Sequence, residues 1–527
     1  MMLHCFFVRA LAYAAAAFAY CSCLSLDNAN LQDLSSALDS GCLTSTELVR
    51  EYLQRIAATN DQLHAILETN PDALAIASRL DAERAAGHVR GPLHGIPILL
   101  KDNIATQDRM NTTAGSFALL GATVPRDSSV VARLRRAGAV LLAKANLGEW
   151  AQFRSYNSTN GWSAVGGQTY GPFAKGMDPY GSSSGSAVGV AAGMAPAALG
   201  TETHGSIVMP ASRAGLVGIK PGVGLTSRDL VVPISRYQDT VGPVARTVRD
   251  AAVVLEAIAG VDERDEFTAA NPNGGHVPAY ADAATRLTSW KGVRIGVPRN
   301  GIDSALLSTP VNESYILHEF ESALGILRDL GAEIVDPVDF GSEMRKAYSE
   351  ATHEGITVRA GFVSDIAAYF AQLASNPHNI HTLEDLRNFT QRDPREGYPS
   401  RDTAGWDDAL ALGFNGSDPC VKAAWKESIR LDEEEGVSGL IAKHNLSALV
   451  MPTEYVPTWT SSPGLPVITV PLGVYPPGTP LINGSRGLVA VAPGIPFGLA
   501  WAGKRWSEET LIALVGGYER AVSSIVE

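Results

Sequence analysis

The chain is 527 residues long, 45% hydrophobic and 18% charged, a globular composition that excludes a disordered or coiled-coil protein. Its 42 Lys and Arg stand against 55 Asp and Glu, a net charge of −13, and no basic run appears, so no nucleic-acid partner is expected. Abundant glycine (51) and proline (30) with only five cysteines suit an enzyme with many tight turns and exclude a disulfide scaffold.

Residues 1–23 carry Arg9, an apolar run from Ala10 to Tyr20 and then small residues, the pattern of a secretory signal peptide. The run is shorter than the about 20 residues needed to span a bilayer; a short anchor or a buried first helix are the alternatives to cleavage. No second apolar stretch of spanning length follows, so stable membrane insertion is not expected. Cys5, Cys21 and Cys23 all lie in this segment. Without it only Cys42 and Cys420 remain, and the two could pair in an oxidising compartment. Asn-x-Ser/Thr patterns at Asn111, Asn157, Asn312, Asn388, Asn415, Asn445 and Asn483 fit a secreted glycoprotein. Asn111, close to the chemistry below, is expected to stay unmodified.

Residues 26–90 look helical. Thr44-Ser45-Thr46-Glu47 is a capping box opening an amphipathic run that ends near Ala58, and a second helical pattern covers 71–86. A short apolar strand, Ile96 to Leu100, ends on Lys101. A helix over 129–137 precedes a buried strand over 139–143. Residues 160–225 are rich in Gly, Ser, Thr and Ala; the apolar run from Ala187 to Leu199 predicts a buried, tightly packed helix there and not a flexible linker. Further on come a strand over 293–297, an amphipathic helix over 313–330 closed by Gly331, and a strand from Glu333 to Val335. Residues 340–435 carry helical patterns and charged loops without motifs. Short apolar strands resume at 448–450, 466–470 and 488–492, before a helix from about Ser507. Alternating helices and buried strands predict one α/β domain over 24–527, a mixed sheet with helices on both sides.

Metal chemistry is not expected: there is no His-Glu-x-x-His, no paired Cys spacing, and the eleven histidines are scattered. No phosphate-binding loop is present either. Gly181-Ser182-Ser183-Ser184-Gly185 contains the Gly-x-Ser-x-Gly of a nucleophile elbow, but that motif needs an apolar strand immediately before it, and Lys175 to Tyr180 is loop chemistry. Three residues form another set. Lys101 ends a buried strand, Ser182 lies in the Gly/Ser loop, and Ser206 follows Thr203-His204-Gly205. A serine hydroxyl needs a base. A lysine can act as one only when neutral, and burial at a strand end favours the neutral form. Taken singly, a Lys beside Asp102 is ordinarily half of a surface ion pair, and a serine in such a loop is ordinarily a turn former.

These segments resemble the amidase signature family. Gly95-Ile96-Pro97-Ile98-Leu99-Leu100-Lys101-Asp102-Asn103 is similar to the family's lysine motif, and the spacing of 24 from Ser182 to Ser206 matches its spacing from bridging serine to nucleophile. Residues 217–221, 239–243, 465–471 and 493–498 continue the likeness, which covers most of 30–260 and 440–520, with a signature core over about 90–260 and a variable substrate region over about 340–435. Pieces such as Phe153-Arg154-Ser155, Gly167-Gln168-Thr169 and Thr201-Glu202-Thr203 resemble the family's peptide amidases, which remove C-terminal amides from peptides.

The resemblance implies a cofactor-free hydrolase of a small-molecule or peptide amide, secreted by virtue of the leader. It implies Ser206 as nucleophile, Ser182 as a bridge held by a cis peptide, and Lys101 as base. It implies an acyl-enzyme, an oxyanion site built from the backbone N–H groups of Thr203, His204, Gly205 and Ser206, and a pocket lined by Gln152, Phe153 and Gln168. His204 and Val208 depart from the family's usual Gly and Arg. An esterase or carbamate hydrolase would use the same residues, an amidotransferase subunit shares the fold, and an inactive binding protein is the non-enzyme alternative.

Overall fold

Eleven strands form one mixed sheet in the computed structural model, which describes residues 25–26, 29–303, 305, 307, 309–349 and 352–526. In chain order they are Ile66–Thr69 (β1), Pro97–Lys101 (β2), Val140–Ala145 (β3), Ala197–Glu202 (β4), Val217–Lys220 (β5), Thr240–Ala245 (β6), Arg294–Gly296 (β7), Glu333–Val335 (β8), Ala448–Pro452 (β9), Val467–Val474 (β10) and Pro496–Ala502 (β11). Across the sheet the order is β1-β3-β2-β4-β6-β5-β10-β11-β9-β7-β8. β2 is parallel to β3 and β4, and β7 is parallel to β8 and β9; the other neighbours are antiparallel. Helices lie on both faces, as the sequence predicts. Strands β2 to β6 are buried along their whole length, which is why β2 up to Leu100 and β3 up to Ala143 read as unbroken apolar runs. Among the described residues no helix is long and apolar enough to cross a membrane. The expected leader, 1–23, lies outside the described residues.

The capping box at Thr44 opens the helix Ser45–Leu63: the Thr44 hydroxyl accepts from Glu47 N, and the Glu47 carboxylate accepts from Thr44 N. Helices Ala73–Ala85, Ser129–Arg136, Glu313–Asp329 and Glu508–Val526 fall within a few residues of their predicted spans. The run from Ala187 to Leu199 does not form one helix. Ser184–Ala191 is helical, Gly193 turns at φ +72°, and β4 begins after Pro196. An unbroken apolar run has no period of its own, and the Gly and Pro inside it were the signal for a break. Residues 26–90, read as helical throughout, also contain the edge strand β1.

The expected pairing of Cys42 with Cys420 does not occur. Cys42 is disulfide-bonded, whereas Cys420 is a free, exposed thiol. Sequence gives no distance between two thiols. Cys420 stands in the first turn of helix Pro419–Glu435, beside the capping carboxylate of Asp418, which raises its pKa.

The parallel register of β2 and β4 sets up the site. Ile98, Leu99 and Leu100 pair with Ala197, Ala198 and Leu199, so the two strands end side by side at Lys101 and at Thr201-Glu202. Behind them the helix Ser184–Ala191 presses onto the sheet through its glycines. A Cβ on Gly185 would lie 2.2 Å from Ala65 O and 2.5 Å from Asn146 N, and one on Gly189 would lie 2.6 Å from Leu99 Cδ1. Backbone atoms cannot yield as a side chain can. Gly185→Ala is therefore expected to cost about 1–3 kcal/mol, read as a lowered unfolding midpoint; a midpoint equal to wild type would show slack in this contact.

Candidate active site

Lys101 and Asp102 are both buried at the end of β2, and strand alternation sends them to opposite faces. The Asp102 carboxylate accepts from Thr113 N at 3.1 Å, from the Thr113 hydroxyl and from Gly115 N at 3.3 Å, so its bonds lie with this loop and not with Lys101. Lys101 Nζ donates to Thr201 O at 3.0 Å and to Thr201 Oγ1 at 2.8 Å, and stands 2.8 Å from Ser182 Oγ. Burial lowers its pKa from 10.5 to about 7; Glu202 and Asp239 pull the other way and do not win. Lys101 and Ser182 are both 0% exposed, so bulk water cannot restore the charge.

Ser182 follows a cis peptide bond from Gly181. Its carbonyl accepts from Gly148 N at 2.9 Å, and Gly185 N donates to Asn146 O at 2.9 Å, so the exit of β3 grips the loop at the serine and again three residues after it. The loop before it is held by a relay of amides. Gln152 Nε2 donates to Asn160 Oδ1 at 2.7 Å, Asn160 Nδ2 donates to the Asp178 carboxylate at 2.9 Å, and that carboxylate accepts from Tyr180 N at 2.8 Å.

Ser206 opens onto a cavity of about 450 Å³. Its carbonyl accepts from Ser183 N at 3.1 Å, tying it to the bridging loop. Gly205, at φ +74°, makes the turn before it; a Cβ there would meet Met209 Cγ at 2.9 Å and Pro457 Cγ at 3.1 Å. The buried Glu202 carboxylate organises the segment, accepting from Gly205 N at 2.8 Å, Ile207 N at 2.7 Å and Val208 N at 3.0 Å. The resemblance implies that Gly205 lends its N–H to an oxyanion; that N–H is instead committed to Glu202. Asp239 accepts from Thr203 Oγ1 at 2.6 Å and from Ile234 N at 2.7 Å, and burial raises its pKa to about 6. Thr203 and His204 both line the cavity, and His204 is exposed.

Gln152 and Phe153 line this cavity as expected; Gln168 is not among its lining residues. The Gln168 side-chain amide donates instead to the carbonyls of Asn160 at 2.6 Å and Thr169 at 2.8 Å, one layer behind the wall. Tyr156 from the 150–170 loop and Val358 and Arg359 from the expected variable region over 340–435 also line it; the other walls come from places the sequence did not mark, Tyr180, Leu307, and Glu454, Pro457 and Thr458 after β9. Buried Arg154 anchors the 150s loop. Its guanidinium donates to Glu149 Oε2 at 2.5 Å and to the carbonyls of Glu396 at 2.9 Å and Arg401 at 2.5 Å, and pairs with Glu396 Oε2 at 3.3 Å. Burial, with Glu396 beside it, holds the Glu149 carboxyl well above its usual range.

The Amidase family profile matches residues 47–397. The Arthroderma benhamiae protein named "Putative amidase" is 44% identical over 95% of this chain and 86% of its own length. The structure of native peptide amidase from Stenotrophomonas maltophilia is 39% identical, covers 94% of this chain and 96% of its own, and superposes with a TM-score of 0.81. A glutamyl-tRNA(Gln) amidotransferase component from Synechococcus sp. is 42% identical over 57% of this chain and 58% of its own length.

The Lys101 shift has a thermodynamic signature. Between about pH 7 and 10.5 the unfolded chain holds a proton on Lys101 that the folded chain does not, so this group makes folded stability rise with pH, by about 1.4 kcal/mol per unit. Lys101→Met should therefore flatten the stability–pH curve. From pH 7.5 to 9.5 wild type is expected to gain about 2–3 kcal/mol more than the variant in urea unfolding; parallel curves would mean that the amine is charged in the fold.

Proposed function

The chain belongs to the amidase family and is a hydrolase acting on amides, and on that premise we propose that Ser206 is its nucleophile, Ser182 its proton bridge and Lys101 its base. The carrying observation is the 2.8 Å contact between Lys101 Nζ and Ser182 Oγ at a place without solvent, behind a Ser206 that faces the cavity. The neutral amine takes the Ser182 proton while Ser182 takes that of Ser206, and Ser206 Oγ attacks the amide carbon. The oxyanion is received by the backbone N–H groups of Thr203, His204 and Ser206; Gly205, bound to Glu202, is left out. The proton returns through Ser182 to the leaving nitrogen, and the C–N bond breaks. Ammonia or an amine departs, and a water molecule, deprotonated by the same relay, releases the acid from the acyl-enzyme.

A peptide C-terminal amide is the substrate class this reading favours. The likeness to a peptide amidase over 94% of the chain supports it, as does a cavity far larger than a carboxamide. We further propose that the protein is a secreted glycoprotein: Asn157, Asn415, Asn445 and Asn483 are exposed, while the Asn111 amide is half-buried and bonded to Glu68 Oε2 at 3.0 Å.

Ser206→Ala is expected to lower amide turnover by at least about 10³-fold with its unfolding midpoint unchanged, and Lys101→Met to do nearly as much, read as ammonia released from peptide amides. A fluorophosphonate probe should label Ser206 in wild type alone. Because the base must be neutral, kcat/KM is expected to rise with pH and level off above about 7. Full turnover in either variant would end this assignment.

A further inference from the structure

One polar group in the cavity has no counterpart in the relay. Glu454 sits in the turn Thr453–Tyr455 that follows β9, and it lines the same cavity as Ser206 and Gly205. The residue is 5% exposed, and its Oε2 is shut off from solvent with nothing among the described residues hydrogen-bonding it. Buried side-chain oxygens are nearly always satisfied, so a carboxyl with an orphan oxygen, on a residue that lines a ligand cavity, calls for a partner. Burial also moves the carboxyl pKa up to about 7, with partial relief from Arg213, whose guanidinium lies 4.9 Å from the centre of the Tyr180 ring on the same wall. Phe153, Met209, Ile234, Leu307 and Val358 make much of the remaining lining apolar. An ammonia leaving group is too small to fill about 450 Å³, so most of this space takes the acyl part of the substrate. An acyl part that suits both surfaces carries an apolar side chain and a hydrogen-bond donor close together.

We propose that Glu454 is a specificity-determining residue whose carboxyl oxygen accepts the N–H next to the scissile carboxamide, so that the enzyme prefers amides of N-acylated amino acids and peptides over simple fatty or aryl amides. This rests on the amide-hydrolase reading above and adds to it the group that selects among amides. The selection works through a penalty: a substrate lacking the N–H buries the Glu454 oxygen without a partner, and one that puts an oxygen there sets two acceptors face to face.

The experiment compares N-acetyl-phenylalaninamide with its isostere in which the N–H is replaced by an ester oxygen, ammonia release being the readout. Wild type is expected to favour the N–H compound by at least about tenfold in kcat/KM. Glu454→Leu should bring that ratio to within about threefold of one, while Glu454→Gln, whose amide oxygen still accepts, should restore it. A wild-type ratio near one, or a Glu454→Leu variant that keeps the wild-type ratio, overturns the proposal. Dissociation constants of both compounds for Ser206→Ala, measured by calorimetry, separate the two levels. A tenfold ratio there that Glu454→Leu abolishes upholds the role of Glu454 even if no ammonia is released, in which case the hydrolase reading fails alone; equal constants overturn the role of Glu454 whatever the turnover.

Discussion

Taking an ammonium group out of water costs several kcal/mol, and everything at this site follows from how that cost is met at Lys101. Among the described residues it has no salt-bridge partner at contact distance, only carbonyl and hydroxyl oxygens, so the group is driven toward neutrality and its pKa falls to about 7. Burial alone does not single out Lys101 as the proposed base. Lys144 and Lys220 are equally buried, and their pKa values are lowered too, that of Lys220 to about 8. Lys144 donates to Ile104 O and Thr112 Oγ1, and Lys220 to Leu465 O, groups that lead nowhere near the cavity. Lys101 differs because one of its three partners is a serine hydroxyl whose neighbouring loop holds a second serine against open space.

Glu202 and Asp239 work both for and against this arrangement. Their carboxylates organise the loop that presents Ser206, one by capping three backbone N–H groups, the other by fixing the Thr203 hydroxyl. The same negative charges favour the protonated lysine. The balance holds because the desolvation of Lys101 is the largest contribution to its shift. Moving either acid closer would tighten the loop and disarm the amine, which sets a limit on how rigid this segment can be made.

Much of this was legible in the sequence because the relevant signals are local. Lys101 ends an apolar run, Ser182 and Ser206 sit in glycine-rich turns, and the capping box at Thr44 is read from four consecutive residues. What stayed hidden depends on distance or direction. Whether Cys42 and Cys420 meet, whether Gln168 faces the cavity or the layer behind it, and whether the Gly205 N–H is free are questions of which way a group points. The helix–strand break inside 187–199 failed for another reason: an apolar stretch that is buried all round has no periodicity, and only Gly193 and Pro196 marked the change. Glu454 lies some 250 residues beyond Ser206, in a segment with no motif of its own, and only the pairing of β9 with β11 within the shared sheet brings it to the same cavity.

The Arg154 cluster bears on anyone who would recombine this enzyme with its relatives. One guanidinium holds Glu149, Glu396 and the carbonyl of Arg401, so a wall of the reaction chamber and a stretch of chain more than 240 residues downstream share a single buried cation. A chimera that imports a foreign 390–405 segment without an acid matching Glu396 would strand that cation in the interior, and one that keeps Glu396 but replaces the 149–154 turn would strand the acid instead. The natural crossover points therefore lie outside both segments, and the two must travel together.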